Sequence, residues 1–155
     1  MKIEIDDLTH PAVHALLQEH LDNMNALSPA DQVFALDLAR LKVPGITVWT
    51  AWEGRQLLGC GALKELTARH GEIKSMRTPE AARRRGAGRA ILQTIVDEAG
   101  LRGYGQLSLE TGSHPDFEKA HALYRSAGFA RCGAFGGYAE NPHSVFMSLR
   151  LSGAA

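Results

Sequence analysis

The stretch Arg83-Arg84-Arg85-Gly86-Ala87-Gly88-Arg89 lies between a strand-like run at 71–78 and an amphipathic helix. The helix carries an apolar stripe made of Ile91, Leu92, Ile95, Val96 and Ala99. The first amides of a helix have no intrahelical partner, and the helix dipole favours negative charge there. Glycines allow a phosphate to approach those amides closely. The stretch therefore predicts a loop that binds a pyrophosphate.

Two common phosphate-binding motifs do not fit this loop. A P-loop would need Lys-Ser/Thr after Gly88, where the chain has Arg89-Ala90, and the Rossmann motif would need a small residue at Ile91. The remaining pattern, Arg83-x-x-Gly86-x-Gly88, resembles the coenzyme A signature of the GNAT superfamily of N-acetyltransferases. For this hexamer alone, a basic turn that caps a solvated helix is the alternative interpretation.

A second motif lies downstream and in the expected order. The segment Ala120-x-x-Leu123-Tyr124-x-x-x-Gly128-Phe129 resembles the GNAT motif that ends in Leu-Tyr-x-x-x-Gly-Phe. It follows a strand-like run at 107–110 and forms one face of a helix, with Gly128 where a left-handed C-terminal residue is needed. The resemblance covers about 47–151, and the tail at 138–147 resembles bacterial small-molecule acetyltransferases.

The order of predicted elements agrees with this resemblance. We predict strands at 2–5, 46–52, 56–66, 71–78, 106–111, 129–132 and 144–151, and helices at 11–24, 28–41, 85–102 and 116–127. The resemblance implies an α/β (α+β) fold with a mixed, mostly antiparallel seven-stranded sheet flanked by four helices. Its fourth and fifth strands are expected to be parallel and splayed. We expect a single domain over 1–151 and a frayed tail at 152–155.

The overall composition excludes several classes of function. Lys plus Arg and Asp plus Glu are 17 each, so no net field attracts nucleic acid or membrane. The sequence contains no apolar run of about 18 residues and no signal-peptide pattern, so a cytoplasmic protein is expected. His10 and His14 have a metal-compatible spacing without a third ligand, and no metal is expected.

The resemblance implies acetyl-CoA as cosubstrate. Backbone amides of the glycine loop would hold the pyrophosphate, and the fourth strand would pair with the pantetheine arm, with the Met76 amide as oxyanion donor. The expected cofactor-binding residues are Met76, Arg77, Thr78, Arg83, Arg84, Arg85, Gly86, Ala87, Gly88, Arg89 and Tyr124.

Two side chains are candidates for catalysis. Tyr124 matches the family tyrosine that lies beside the coenzyme sulfur as general acid, and a core tyrosine is the alternative. Glu72 stands fourteen positions before Gly86, at the spacing of the base glutamate in some members. It could equally be a polar strand residue or an anion that orients the substrate. Glu110 and His70 are alternative bases and candidate substrate contacts.

One position departs from the family pattern. Many relatives have Asn three positions before the motif alanine, where it bonds the coenzyme arm, and this chain has Phe117. The contact must be lost or supplied by His114, Asp116 or the backbone.

The acceptor is the least determined feature. Loop 133–143, which contains Tyr138 as a candidate substrate contact, could cover the acceptor site or mediate a homodimer. We predict acetyl transfer to a primary amine of a small molecule by direct attack in a ternary complex. A non-catalytic acyl-CoA sensor and a protein N-acetyltransferase are the alternatives, and the balanced charge argues against a nucleic-acid-binding module.

Overall fold

The computed structural model describes residues 1–151, leaving aside the side chain of Gln32, and within that range seven strands form one sheet. The strands are β1 (Lys2–Ile5), β2 (Ile46–Glu53), β3 (Gln56–Thr67), β4 (His70–Arg77), β5 (Gln106–Gly112), β6 (Ala130–Cys132) and β7 (Ser144–Arg150). The helices are α1 (Pro11–Leu27), α2 (Leu38–Leu41), α3 (Ala87–Leu101) and α4 (Glu118–Ser126). The predicted tail at 152–155 lies outside the described residues.

The sheet has the order β1-β2-β3-β4-β5-β7-β6. Strands β4 and β5 are parallel, and every other neighbouring pair is antiparallel. The predicted mixed sheet with four flanking helices is therefore confirmed.

The parallel strands separate partway along their length. Pairing runs from His70 opposite Gln106 to Ile73 opposite Leu109. Beyond this point β4 continues against β3, and β5 continues against β7 as far as the pair Gly112–Ser144. A gap therefore opens between the carboxyl ends of β4 and β5, which confirms the predicted splay.

Apolar side chains fill the space on both faces of the sheet, because the strands at its centre are covered on each side. One core lies under α3 and α4 and includes Leu63, Ile73, Ile91, Leu92, Ile95, Leu107 and Leu109. The other lies under α1 and α2 and includes Val13, Leu16, Leu17, Leu41, Val48 and Ala62. Helices α1 and α3 therefore lie on opposite faces of the sheet.

The helix predicted over 28–41 is wrong before Leu38. The Ser28 amide donates to Met24 O at 3.0 Å and so ends α1, and no helix begins at Ser28 because Pro29 has a non-helical ψ of 148°. A single 3-10 turn at Ala30–Gln32 follows, then an extended segment, and Asp37 caps the short α2. Tertiary contact overrides the local helix signal here, because Phe34 packs edge-on against Tyr138 at 5.1 Å.

Two helix starts also differ from the prediction by two residues. Helix α3 begins at Ala87 instead of Arg85, because Gly86 has a left-handed φ of +80° and cannot belong to the helix. Helix α4 begins at Glu118, because Pro115–Phe117 form a separate 3-10 turn. Both shifts leave the predicted helical faces unchanged.

Candidate active site

A cleft of about 970 Å³ occupies the gap between β4 and β5. At one end it is lined by α1 and by residues 33–35, and at the other by Arg83, Arg84, residues 86–89 and the first turns of α4. Its volume lies at the upper end for pockets that hold small ligands. The cleft can therefore take an extended ligand from one end and a second, small molecule from the other.

A β-bulge shapes the cleft wall on β4. Ala62 pairs with Lys74 and Cys60 pairs with Arg77, so β4 has one more residue than β3 in this interval. Ser75 lies within the bulge and has a positive φ of 56°, which is rare for a residue with a side chain. The bulge redirects the backbone that follows, and Met76, the predicted oxyanion donor, comes next and lines the cleft.

The glycine loop forms a concave backbone surface at the start of α3. Arg84 and Gly86 both have left-handed φ values, of 69° and 80°. Such residues among right-handed or extended neighbours turn successive amides toward one point and make an anion-binding nest. A Cβ on Gly86 would meet no atom within 4 Å, so that side of the loop is open. The loop therefore fits a phosphate group beside the first amides of α3.

The arginines of this region have different positions. Arg83, Arg84 and Arg89 line the cleft, together with Thr78, Ala87 and Gly88. Arg85 turns away, since its Nη1 donates to Gln56 Oε1 at 3.0 Å and lies 3.6 Å from Glu53. Arg77 lines the cleft, but its guanidinium donates to Asn23 and Glu19 and so ties β4 to α1.

Phe117 forms part of the cleft wall beside β5. A Cβ on Gly112 would lie 2.1 Å from the Phe117 ring, so the ring packs directly on the Gly112 backbone. This close approach requires glycine at 112. Of the residues expected to replace the missing asparagine, Asp116 lines the cleft, whereas Nδ1 of His114 accepts the Asp116 amide.

Tyr124 and Glu110 both line the cleft, on α4 and on β5 past the splay. Burial raises the pKa of Tyr124, and the neighbouring Glu110 carboxylate raises it further. Burial likewise raises the pKa of Glu110, although a 2.7 Å hydrogen bond from Ser144 Oγ opposes this effect. The structure therefore places a phenol that keeps its proton and a carboxylate of raised basicity in one cleft.

Glu72 is held in a closed network that does not line the cleft. Its side chain is 2% exposed. Lys74 Nζ donates to Glu72 Oε2 at 3.0 Å, and the Tyr138 hydroxyl donates to the same oxygen. Lys74 also donates to Tyr138 Oη at 2.8 Å. Of these three residues, Lys74 alone is among those that line the cleft.

His70 belongs to a separate hydrogen-bond chain. Its Nε2 lies 2.7 Å from Ser108 Oγ, and it is not among the residues that line the cleft. Burial lowers the pKa of His70, with Glu72 acting in the opposite direction. Tyr124 and Glu110 thus line the cleft, whereas His70, Glu72 and Tyr138 do not, and the roles of all five remain predictions.

His20, Lys74 and Ser75 line the cleft and were not predicted from the sequence, whereas Arg77 was. In the part of the chain that the structure describes, three buried side-chain atoms lack a hydrogen-bond partner: His20 Nδ1, Ser75 Oγ and Arg77 Nε. All three residues line the cleft. His20 follows Leu16 and Leu17 at helical spacing, and Lys74 follows Glu72 at strand spacing. The sequence therefore indicated which face of the helix or strand each residue lies on, but not that this face lines the cleft.

The fold and the cleft together define a transferase of the GNAT type, in which a splayed parallel pair faces a glycine-rich helix start. The chain belongs to the acetyltransferase (GNAT) family, whose model matches residues 13–129.

Similar proteins agree with this assignment. The chain is 54% identical over 97% of its length to all of YsnE of Bacillus subtilis (strain 168), described as an uncharacterized N-acetyltransferase. It is 48% identical over 96% of its length to 94% of YedL of Escherichia coli (strain K12), described in the same terms. The crystal structure of an aminoglycoside 6'-N-acetyltransferase complexed with coenzyme A has the same fold, with a TM-score of 0.70, 14% identity and 97% of each chain covered.

The described residues offer neither a membrane-spanning helix nor a metal-binding cluster. No helix there is both long and apolar enough to cross a membrane. Nor do those residues contain a cluster of three or more His, Cys, Asp or Glu side chains suited to a metal ion.

Proposed function

We propose that the protein transfers an acetyl group from acetyl-CoA to a primary amine of a small molecule, by direct attack in a ternary complex. The observation that carries this proposal is the cleft itself. One continuous space runs from the glycine loop, past the bulge on β4, to Tyr124 and Glu110. The family assignment and the coenzyme A bound to the aminoglycoside acetyltransferase support coenzyme A as the donor.

The donor end fits the parts of coenzyme A. The nest around Arg84 and Gly86 would bind the pyrophosphate through backbone amides, and Arg83 and Arg89 would add positive charge. The residues of β4 that leave β5 have backbone groups available for an arm laid along the strand. Acetyl-CoA would supply an activated carbonyl carbon bonded to sulfur.

At the reacting end, one residue would take a proton from the acceptor amine and another would give a proton to the departing sulfur. Glu110, in its ionised form, would take a proton from the acceptor ammonium, and the neutral nitrogen would attack the carbonyl carbon. The Met76 amide would stabilise the carbonyl oxygen as negative charge develops. When the C–N bond has formed and the C–S bond breaks, Tyr124 would protonate the sulfur. The nitrogen would lose its second proton, which restores the Tyr124 phenol, and Glu110 would release the first proton to solvent.

Glu110 and Tyr124 would support each other's proton transfer. The Glu110 carboxylate raises the pKa of Tyr124, since a phenolate beside it would be repelled. Once Glu110 has taken the amine proton it is neutral, and this repulsion disappears. Proton uptake by the base would therefore make proton donation by the acid easier. Glu72 fits this role less well, because Lys74 and Tyr138 already occupy its carboxylate.

The acceptor end favours a small molecule over a protein tail. Phe34, which lines the cleft, contacts Tyr138 of loop 133–143 edge-on at 5.1 Å. Tyr138 in turn packs on Phe135 and Phe146 at ring distances of 5.1 and 5.6 Å. This aromatic cluster ties loop 133–143 to the wall of the cleft, and we take it to leave less room for a polypeptide than for a small molecule.

The test is thiol release from acetyl-CoA with a panel of small primary amines, with a no-amine control. We expect amine-dependent release, and initial-rate lines that intersect when both substrates are varied. Parallel lines would overturn direct attack in favour of an acetylated enzyme. Tight binding of acetyl-CoA with no release for any amine would favour the non-catalytic sensor.

A further inference from the structure

Lys74 has a hydrogen-bond donor that the protein does not use. Its side chain is 7% exposed, and a buried ammonium must satisfy three N–H groups. One donates to Glu72 Oε2 at 3.0 Å and one to Tyr138 Oη at 2.8 Å. The third has no partner among the described residues, and Lys74 lines the cleft. A ligand in the cleft is the natural acceptor for it.

The hydrogen bonds among Lys74, Tyr138 and Glu72 hold the Lys74 ammonium in place and pair it with the Glu72 carboxylate. Glu72 Oε2 accepts from both Lys74 and Tyr138, and the Tyr138 hydroxyl both accepts and donates. These bonds hold Nζ in one place, so the remaining N–H has a fixed position relative to the strand. A fixed, desolvated ammonium of this kind favours an anionic oxygen over a neutral one, because opposite charges attract more strongly where water is excluded.

Lys74 and Glu110 lie side by side across the start of the splay. Ile73 and Leu109 are the last paired residues of β4 and β5, and Lys74 and Glu110 come next on each strand. Their side chains line the same cleft. Glu72 pairs with Ser108, and Lys74 and Glu110 each lie two positions further along their strands, so both are on the same face of the sheet as that pair. An ammonium at Glu110 and an anion at Lys74 would therefore be separated by only a few atoms.

The neighbouring side chains on α1 add polar groups without adding negative charge. His20 is 8% exposed, and burial together with nearby Arg77 lowers its pKa to about 4, so it is neutral at pH 7. Its Nδ1 has no partner in the described part of the chain. Asn23 and Ser28 also line this end of the cleft. These groups add polar atoms to the wall of the cleft that Lys74 also lines.

We propose, building on the function proposed above, that the acceptor is a short amino acid whose carboxylate binds Lys74 while its amine faces Glu110. Lys74 is thereby a residue that determines specificity and does not take part in proton transfer.

The experiment compares two matched series of amines: glycine, glycinamide and methylamine, and β-alanine, β-alaninamide and ethylamine. The kcat/KM of each is measured for the wild type, Lys74→Gln, Lys74→Arg and the control Lys42→Gln, which alters an exposed lysine outside the cleft. The ratio of kcat/KM for an acid to that for its amide is compared between proteins. The two amines differ in pKa, but this difference is the same for every protein and cancels in the comparison.

We expect the wild type and Lys42→Gln to prefer an acid over its amide by about tenfold or more, as loss of a hydrogen bond to a charged group implies. Lys74→Gln should reduce that ratio to near unity by raising the KM of the acid, and Lys74→Arg should restore part of the preference. The affinity for coenzyme A should stay unchanged in all four proteins.

Lys74→Gln leaves the buried Glu72 carboxylate without its partner and could unfold. The double variant Glu72→Gln/Lys74→Gln removes both charges together and provides the same comparison. A wild type that acetylates the amides or alkylamines as well as the acids overturns the carboxylate assignment and leaves the acetyltransferase intact. Absence of thiol release with every amine of both series overturns the small-amine acceptor and this inference together.

Discussion

Lys74 Nζ donates a 2.8 Å hydrogen bond to Tyr138 Oη, across 64 positions of the chain, and both residues bond the Glu72 carboxylate. This contact joins loop 133–143 to β4 at the edge of the cleft. The loop therefore does more than cover the sheet, since it fixes a charged side chain that lines the cleft.

Replacing Tyr138 by Phe tests that connection. The ring contacts with Phe34, Phe135 and Phe146 would stay, while Lys74 would lose one acceptor, Glu72 would lose one donor, and the ammonium would be less tightly fixed. We expect the acceptor KM to rise several-fold, with kcat and coenzyme A affinity nearly unchanged. We also expect about 1–2 kcal/mol of lost stability, as for a partly buried hydrogen bond. Steady-state kinetics and thermal unfolding measure these effects, and an unchanged acceptor KM would contradict the role given to the loop.

The glycine loop can be tested at Gly88. A Cβ there would lie 3.6 Å from Leu123 and from Thr78, so Gly88→Ala fits the protein without a clash. Because Gly88 and both neighbours line the cleft, the methyl group would take space from the donor. We expect at least a tenfold weaker binding of coenzyme A by calorimetric titration. Gly100→Ala is the control on the same helix, where a Cβ meets nothing within 4 Å. Equal affinities in the two variants would remove the loop from the donor site.

Tyr124→Phe should lower turnover by roughly 10²–10⁴-fold if protonation of the sulfur limits the rate. The ring and its contact with Phe129 remain, so coenzyme A affinity should hardly change. The control is Tyr104→Phe, which removes a buried hydroxyl bonded to Glu65 at 2.8 Å outside the cleft. We expect that variant to lose stability and keep its turnover. Full turnover by Tyr124→Phe would reassign Tyr124 to packing.

The identity of the base can be read from pH–rate profiles. The pKa of Glu110 is raised, and a general base must be ionised to act. As the pH is lowered, wild-type kcat/KM should therefore begin to fall at a pH higher than the pKa of an ordinary carboxyl group. Glu110→Gln should lack this acidic limb and should be slowest relative to wild type where the amine is protonated. Glu72→Gln is the matched comparison and should keep the limb. Loss of the limb in Glu72→Gln alone would return the role of base to Glu72.

Acid should destabilise the fold through His20. Its pKa is lowered from 6.5 to about 4 by burial and by Arg77. The neutral imidazole is therefore favoured in the folded protein, and the stability it contributes is present above pH 6.5 and is lost as the pH falls toward 4. With about 1.4 kcal/mol for each pKa unit, the wild type should lose about 3 kcal/mol over this range. His20→Gln should lose correspondingly less. The measurement is the free energy of unfolding by urea at each pH, and parallel curves for the two proteins would contradict the assignment.

The sequence alone determined the features that depend on neighbouring residues. The strand, glycine loop and helix around Gly86 follow from backbone freedom and the apolar stripe of α3, and the structure has all three, with α3 beginning two residues later than predicted. The Leu123-Tyr124 motif likewise placed Tyr124 on a helix face, since helical spacing is a local property. The splay between β4 and β5 could be expected because the two motifs together identified the family.

Only the tertiary structure decided how charges are partnered. Glu72 had a fitting position in the sequence, yet its partners Lys74 and Tyr138 lie 2 and 66 positions away. No local pattern indicated that the more distant contact forms. Arg85 resembles its neighbours in sequence and turns toward Gln56, while Glu110 enters the cleft because β5 leaves β4 just before it. The segment before α2 has helix-starting residues, but Phe34 packs against Tyr138 and the chain stays extended. Backbone propensity acts over a few residues, whereas burial and hydrogen bonding depend on which distant segments the fold brings together.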